Sequence, residues 1–309
     1  MKKLSTLGKI AELILVLLVF LCLFGCLDSS QNQPKNEKIM VVASFYPLYD
    51  FAKNVGGDRI NVSIMIPAGV EPHEYEPSPS DIIQLTNANL FIYNGAGLES
   101  WAPKLLEGIN NSDLIVVNTS KNISLIDSQD NDVPGSDPHV WLSPVLAKIQ
   151  VESIKNALIE ADPAGKSFYE QNTLTYLNKL DILDTNFRQV FATCKKKDIL
   201  ITHATLAYFC KEYGCNQVPV EGVNAEGEPS PAALAAIIDQ AKAKNITTVF
   251  VESLINPKSA QTIANDIKGT VAVFNSVHGV TQEEEQNGKN YLSLMQENIK
   301  IIKNNLNCN

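Results

Sequence analysis

The sequence predicts an α/β protein of two similar lobes, each a parallel sheet with its helices, joined by one long helix. Three observations carry this expectation. Strand-like apolar runs alternate with helix-compatible stretches from about residue 38 to the end of the 309-residue chain, the pattern that parallel βα units produce. Residues 166 to 193 contain neither proline nor glycine and repeat their apolar side chains at helical spacing. The chain's four histidines, His73, His139, His203 and His278, each sit just past the end of an apolar run, where open parallel sheets assemble ligand sites.

In the first half, strands are expected near Ile39 to Ser44, Asn61 to Ile66, Asn89 to Tyr93 and Asp113 to Val117. One helix is expected from Pro47 to the Gly56-Gly57 pair, and another after Ser78. Pro79 then takes its first position, where an N–H would have no partner anyway. The second half repeats the theme, with strands near Asp198 to Thr202, Gln217 to Val220, Thr247 to Val251 and Val271 to Phe274. Helices are expected from Pro231 to Lys244 and from Pro257 to Ile267. A short echo links the halves: Glu76-Pro77-Ser78-Pro79 and Glu228-Pro229-Ser230-Pro231 both place serine as a helix cap.

Between the halves, Tyr169, Leu174, Leu177, Leu180, Leu183, Phe187, Val190 and Phe191 form a helical stripe. At 1.5 Å per residue this helix reaches roughly 40 Å, enough to span two domains. Lys195, Lys196 and Lys197 follow where the helix dipole favours positive charge. A continuous helical linker resists hinge bending, so limited closure is expected. The implied boundaries are a first lobe over 38–162, a linker over 163–194 and a second lobe over 195–309.

Ahead of the lobes, Lys2, Lys3 and Lys9 precede an uncharged apolar run from Leu13 to Leu27. That is shorter than the roughly 20 residues of a membrane span, so residues 1–25 read as a signal peptide. Leu23-Phe24-Gly25-Cys26 resembles a lipobox, which would make Cys26 the lipidated first residue of the mature chain. Residues 26–37 are polar and read as a tether. The formal net charge of −9 becomes about −11 once residues 1–25 are removed. Such a chain repels nucleic acid and tolerates divalent cations.

With Cys22 lost and Cys26 acylated, Cys194, Cys210, Cys215 and Cys308 are disulfide candidates in an oxidising exterior, and their spacing leaves all three pairings open. No CxxC spacing supports a thiolate zinc site. Sequons at Asn61, Asn118, Asn122 and Asn245 suit an exported chain.

One histidine alone is a weak signal, but the company each keeps strengthens the set. His73 lies in Glu71-Pro72-His73-Glu74-Tyr75-Glu76-Pro77 and His139 in Asp137-Pro138-His139-Val140-Trp141-Leu142-Ser143-Pro144. The flanking prolines stiffen the backbone and reduce the entropy lost when a ligand is held. Four imidazoles converging from loops 66, 64 and 75 residues apart would make a closed tetrahedral metal site.

These runs, with Thr202-His203-Ala204-Thr205-Leu206-Ala207-Tyr208-Phe209, resemble the zinc/manganese-binding solute-binding lipoproteins of ABC importers. The resemblance covers nearly all of the mature chain. It implies two α/β lobes joined by a rigid long helix and a metal held in the cleft. That metal passes to a membrane permease with its ATPase. It further implies an extracytoplasmic monomer anchored through Cys26, with no enzymatic activity, no nucleic-acid partner and no cofactor beyond the transported metal. Carried over by motif, His73 and His139 are the first lobe's ligands and His203 the second lobe's first. Manganese carriers often have glutamate at the position of His203, so histidine implies Zn²⁺, with Mn²⁺ or Fe²⁺ the alternatives.

Family members usually offer a carboxylate after the last strand, where this chain has Phe274-Asn275-Ser276-Val277-His278-Gly279-Val280. Asn275 or His278 takes that slot, and His278 is the expected ligand because imidazole binds zinc better than an amide. Four neutral imidazoles leave the ion's charge uncompensated, so a nearby carboxylate is expected. Glu252, Glu74 and Glu226 are candidates, each also readable as a solvated loop acid. Where related zinc carriers have a histidine-rich loop, this chain has Asp127, Asp130, Asp132 and Asp137, readable as a weak cation attractor or a solvated turn. Trp101 and Trp141 are candidates for the cleft wall or the core. The rival readings are a secreted zinc-dependent hydrolase, for which no HExxH motif appears, a carrier of iron chelates or cobalamin, and a surface adhesin.

Overall fold

The structure, a computed structural model, describes residues 38–128, 135–223 and 229–309. The expected signal peptide, Cys26 and the tether fall outside the described residues, as do Asp130, Asp132, Glu226 and Glu228. No helix among the described residues is long and apolar enough to cross a membrane.

Two four-stranded parallel sheets form the frame. The first contains β1 (Ile39–Ala43), β2 (Ile60–Ile64), β3 (Leu90–Tyr93) and β4 (Ile115–Asn118), in the spatial order β2-β1-β3-β4. The second contains β5 (Asp198–His203), β6 (Asn216–Glu221), β7 (Thr248–Glu252) and β8 (Thr270–Phe274), in the order β6-β5-β7-β8. Every neighbouring pair runs parallel. Central strands such as Leu200-Ile201 and Val249-Phe250-Val251 are buried on both faces, which is why they read as unbroken apolar runs. Each half thus repeats one topology, and the loops that carry the four histidines leave the carboxyl edges of the two sheets.

The first sheet carries α1 (Tyr46–Gly56), α2 (Pro79–Thr86), α3 (Ala102–Glu107) and α4 (Pro144–Ala161). The connecting helix is α5 (Lys166–Thr193), 28 residues without interruption. It starts after Pro163, because Pro163–Gly165 forms a separate 3₁₀ turn in which Asp162 accepts from the Gly165 amide at 3.2 Å. The second sheet carries α6 (Ala207–Tyr213), α7 (Pro231–Ala243), α8 (Lys258–Asp266), α9 (Gln282–Gln286) and α10 (Tyr291–Asn305). Both serines of the repeated tetrapeptide sit at N-caps. Ser230 Oγ accepts from the Ala233 amide at 3.2 Å, whereas the Ser78 amide donates to Asp81 Oδ2 at 2.6 Å.

α3, α4, α6, α9 and α10 join the helices expected from the sequence. In α4 the buried Ala147, Val151, Ile154 and Leu158 follow helical spacing and pack against Tyr169, Tyr176 and Leu183 of α5 within one apolar cluster. The linker is therefore backed over its first part by a second helix, and its end packs through Phe187 and Phe191 against Phe209 and Tyr213.

That cluster crosses the lobes. Phe45 and Trp141 from the first lobe, Phe187 from α5, and Phe209, Phe274 and Tyr291 from the second all belong to it. Hydrogen bonds also cross: Trp141 Nε1 donates to the Ser276 carbonyl at 2.8 Å, Tyr291 OH to the Trp141 carbonyl at 2.6 Å, and the Gly69 amide to the Val280 carbonyl at 2.8 Å. Hinge opening would expose this apolar surface at roughly 25 cal/mol per Å², so the packing favours little relative motion. A disulfide joins Cys194, at the end of α5, to Cys308, while Cys210 and Cys215 are unbonded.

Candidate metal centre

The four histidine loops leave the carboxyl edges of the two sheets. After β2, Pro72 opens a one-turn 3₁₀ segment, Pro72–Glu74, that carries His73, and Glu71 Oε1 accepts the His73 amide at 3.3 Å. After β4, Asp137 Oδ1 accepts the His139 amide at 2.8 Å and lies 2.9 Å from the same residue's Nδ1. The Pro138 carbonyl is fixed by Asn94 Nδ2 at 2.9 Å, and Asn94 by Gln150 at 2.9 Å. His203 is the last residue of β5, and its Nδ1 lies 2.7 Å from Glu252 Oε1 at the end of β7. His278 follows β8 after Val277, which holds φ +55°. That left-handed conformation is strained for a β-branched residue, and such strain gathers at functional sites.

Three of the four rings converge. His139 Nε2 is 3.2 Å from His73 Nε2 and 3.3 Å from His203 Nε2. The three ligand nitrogens all lie within 4.8 Å of one another. Zinc–nitrogen bonds of 2.0–2.1 Å in a tetrahedron require nitrogen–nitrogen edges of about 3.3–3.4 Å. His139 and His203 are fully buried, while His73 is only partly so.

His278 lies beside this trio, outside it. Its Nδ1 is 2.7 Å from Ser276 Oγ and its Nε2 is 2.8 Å from Glu71 Oε2, while its ring centroid is 6.3 Å from that of His203. The expected convergence of four imidazoles is thus drawn as three plus an imidazole–carboxylate pair, because a buried carboxylate attracts the fourth ring. Asn275, the other candidate for this slot, is occupied: its Nδ2 donates to Glu284 at 2.7 Å and its Oδ1 accepts from the Val277 amide at 2.9 Å.

Charge is arranged around the trio. Burial opposes ionisation of Glu71, but His278 and His73 outweigh it and bring its carboxyl down to about 2. Burial likewise opposes ionisation of Glu252, which His203, His278 and His139 nonetheless hold below the usual carboxylate range. Burial pushes His73 well below the ordinary imidazole value and lowers His139 despite Asp137. For His278, burial is overcome by Glu71 and Glu252, and its pKa rises. Among the described residues, both glutamates have only histidines as ion-pair partners. Glu71 Oε2, Glu252 Oε2, His203 Nδ1 and His278 Nε2 are buried without a well-aligned hydrogen bond. Two buried carboxylates beside the imidazole trio supply negative charge of the kind that a divalent cation needs.

The structure corrects the reading of several acids. Glu252 and Asp137 are 1% and 2% exposed, so neither is a solvated loop acid. Glu74 is exposed. Glu71 went unread, although the sequence held a signal: Glu71-Pro72-His73 and Asp137-Pro138-His139 are one acid-Pro-His pattern used twice. Trp141 is fully buried with its ring centroid 5.2 Å from that of His139, so it is both core and site wall. Trp101 packs with Tyr75 and Phe91, away from the trio.

Residues 41–305 match the family described as zinc-uptake complex component A, periplasmic. The chain belongs to that family. It is 34% identical over 312 residues to the high-affinity zinc uptake system protein ZnuA of Bacillus subtilis, covering 96% of this chain and 98% of that one. It is 33% identical to the zinc-binding lipoprotein AdcA of Streptococcus pneumoniae, covering 93% of this chain and 60% of AdcA. The crystal structure of the Zn(II)-bound ZnuA-like domain of that AdcA superposes with a TM-score of 0.77 at 33% identity, over 87% of this chain and 99% of the domain. Family members are the solute-binding components of zinc uptake systems.

Proposed function

We propose that this chain captures Zn²⁺ outside the cytoplasm and delivers it to an ABC permease driven by its ATPase. The observation that carries this reading is the His139 Nε2 atom standing 3.2 and 3.3 Å from its counterparts in His73 and His203, the edge length of a zinc tetrahedron. Zinc is the substrate, and His73, His139 and His203 are its proposed ligands. His278 is the proposed fourth ligand, with Glu71 supplying charge from beside it. Glu252 and Asp137 act as carboxylate acceptors on the far nitrogens of His203 and His139, a contact that fixes ring orientation and strengthens the ligand.

Imidazole at the position of His203 favours Zn²⁺ over the harder Mn²⁺. The role is binding and not catalysis, because the carboxylates that a zinc hydrolase would keep free as a general base are paired with histidines. Lipidation at Cys26 after removal of residues 1–25, with 26–37 as the tether, would hold the protein at the membrane as AdcA's name implies. The lobes 38–162 and 195–309, bridged by 163–194, would act as a monomer in which the cleft presents the metal to the permease.

Calorimetric titration of metal-free protein with Zn²⁺, combined with elemental analysis, tests the reading. One Zn²⁺ per chain is expected. Affinity unchanged by replacing His73, His139 and His203 together with alanine would contradict it.

A further inference from the structure

The two unbonded cysteines lie at the two ends of one turn. α6 ends at Tyr213, and Gly214, at φ +68°, reverses the chain. The Gly214 amide donates to the Cys210 carbonyl at 2.9 Å, and the Cys215 amide to the same oxygen at 3.2 Å. The second bond runs six residues back to one, as in the Schellman ending, whose geometry sets the side chains of the first and last residues against each other. Cys210 and Cys215 occupy those two positions and are 6% and 7% exposed. Burial, and then the adjacent Cys215 thiol, push the Cys210 thiol well above its ordinary value, so the two sulfurs interact.

We propose that Cys210 and Cys215 form a second disulfide in the exported protein, closing the turn between α6 and β6. Three observations converge on it. The Cys194–Cys308 bond shows a chain whose cysteines are paired and leaves only these two as partners among the described residues. The turn brings their side chains together. Both are buried in the same apolar cluster, which shields a formed bond from reductants.

The chemistry balances as thiol–disulfide exchange. One thiolate attacks an external disulfide oxidant such as glutathione disulfide and forms a mixed disulfide. The second thiolate then displaces glutathione thiolate, so the Sγ–Sγ bond forms as two S–H protons are lost and the oxidant is reduced to two thiols. A buried thiol held above its ordinary pKa is a poor nucleophile, so the bond forms while the chain folds. Its position has a use: Tyr208 on α6 donates to the Asp137 carbonyl at 2.7 Å, steadying the loop that orients His139.

Tryptic mapping without reductant tests this directly, because Lys211 separates the two cysteines. The full chain is folded with excess glutathione disulfide, denatured with iodoacetamide and digested. The expected product is Asp198–Lys211 linked to Glu212–Lys242, beside the link between Gln189–Lys195 and Asn304–Asn309, and both separate on reduction. Recovery of Cys210 or Cys215 alkylated, or joined to Cys194 or Cys308, overturns the proposal. In C215S, Cys210 should become fully alkylated while the Cys194–Cys308 link persists.

Discussion

Asp137 and Glu71 each stand two residues before a histidine, follow a strand of the same sheet and accept the backbone amide of that histidine. Their carboxylates then go to different places. The shorter Asp137 turns back on its own loop and meets His139 Nδ1 at 2.9 Å. Glu71, one methylene longer, reaches out of its lobe to His278 Nε2 at 2.8 Å, a partner in the second half of the chain. One acid-Pro-His element therefore orients His139 within its own lobe, and the other ties the two lobes together beside the imidazole trio. The contrast separates two tasks, aiming the rings and neutralising the ion.

The largest effect is expected where the rings themselves are removed. H139A should weaken Zn²⁺ binding by more than the roughly 10–100-fold that loss of an orienting partner costs, because His139 Nε2 is the atom shared by both short contacts. Titration calorimetry checks this. Next come the orienting acids. E252Q should weaken binding by about 10–100-fold, with D137N at the lower end of that range, because Glu252 lies against both His203 and His278 while Asp137 serves His139 alone. Equal losses would erase the distinction.

E71Q probes the other task. With His278 held above its ordinary pKa by Glu71, zinc ligation by His278 must displace its proton near neutral pH, giving up to about one proton released per Zn²⁺. Calorimetry in buffers of different ionisation enthalpy measures this number, and it should fall in E71Q. His73 and His139 have lowered values and contribute no such release. Without metal, their contribution to stability is fully present above about pH 6.5 and is lost as pH falls through their lowered folded values. His278 works the other way: its contribution is present below about pH 6.5 and is lost as pH rises through its raised value. Glu71 contributes above its ordinary value, about 4.3, and that stability is lost as pH falls towards about 2. Zn²⁺ binding should accordingly begin to weaken as the pH falls through the raised value of His278, and weaken further as it approaches the lowered values of His73 and His139. The smallest effect is expected for Y208F, which removes two lobe-crossing hydrogen bonds, one donated to the Asp137 carbonyl and one accepted from the Ile126 amide, and should cost about 1–3 kcal/mol in denaturant unfolding.

The frame was legible because parallel strands buried on both faces leave plain runs such as Ile199-Leu200-Ile201 and Thr248-Val249-Phe250-Val251, and because 28 residues without a breaker admit little but a helix. α4 carries an equally clear periodicity in Ala147, Val151, Ile154 and Leu158, but it follows directly on the Asp137–Pro144 motif, whose histidine and prolines dominate the reading of that stretch. In the site, the histidines stood out through their proline brackets, while their carboxylate partners did not. Glu252 looks like a loop acid until β7 is placed beside β5, which brings it to His203. Glu71 reaches a residue in the other lobe, a contact that no local pattern encodes. That same contact separates the four-imidazole expectation from the three-ring cluster of the structure.

The claim underneath is that loops from both lobes deliver their imidazoles to one zinc ion. X-ray absorption at the zinc edge of the loaded protein measures that shell. At least three imidazole nitrogens at 2.0–2.1 Å are expected, with the imidazole scattering lost when His73, His139 and His203 are replaced by alanine. Sulfur at about 2.3 Å, or a shell with fewer than three imidazoles, would contradict it.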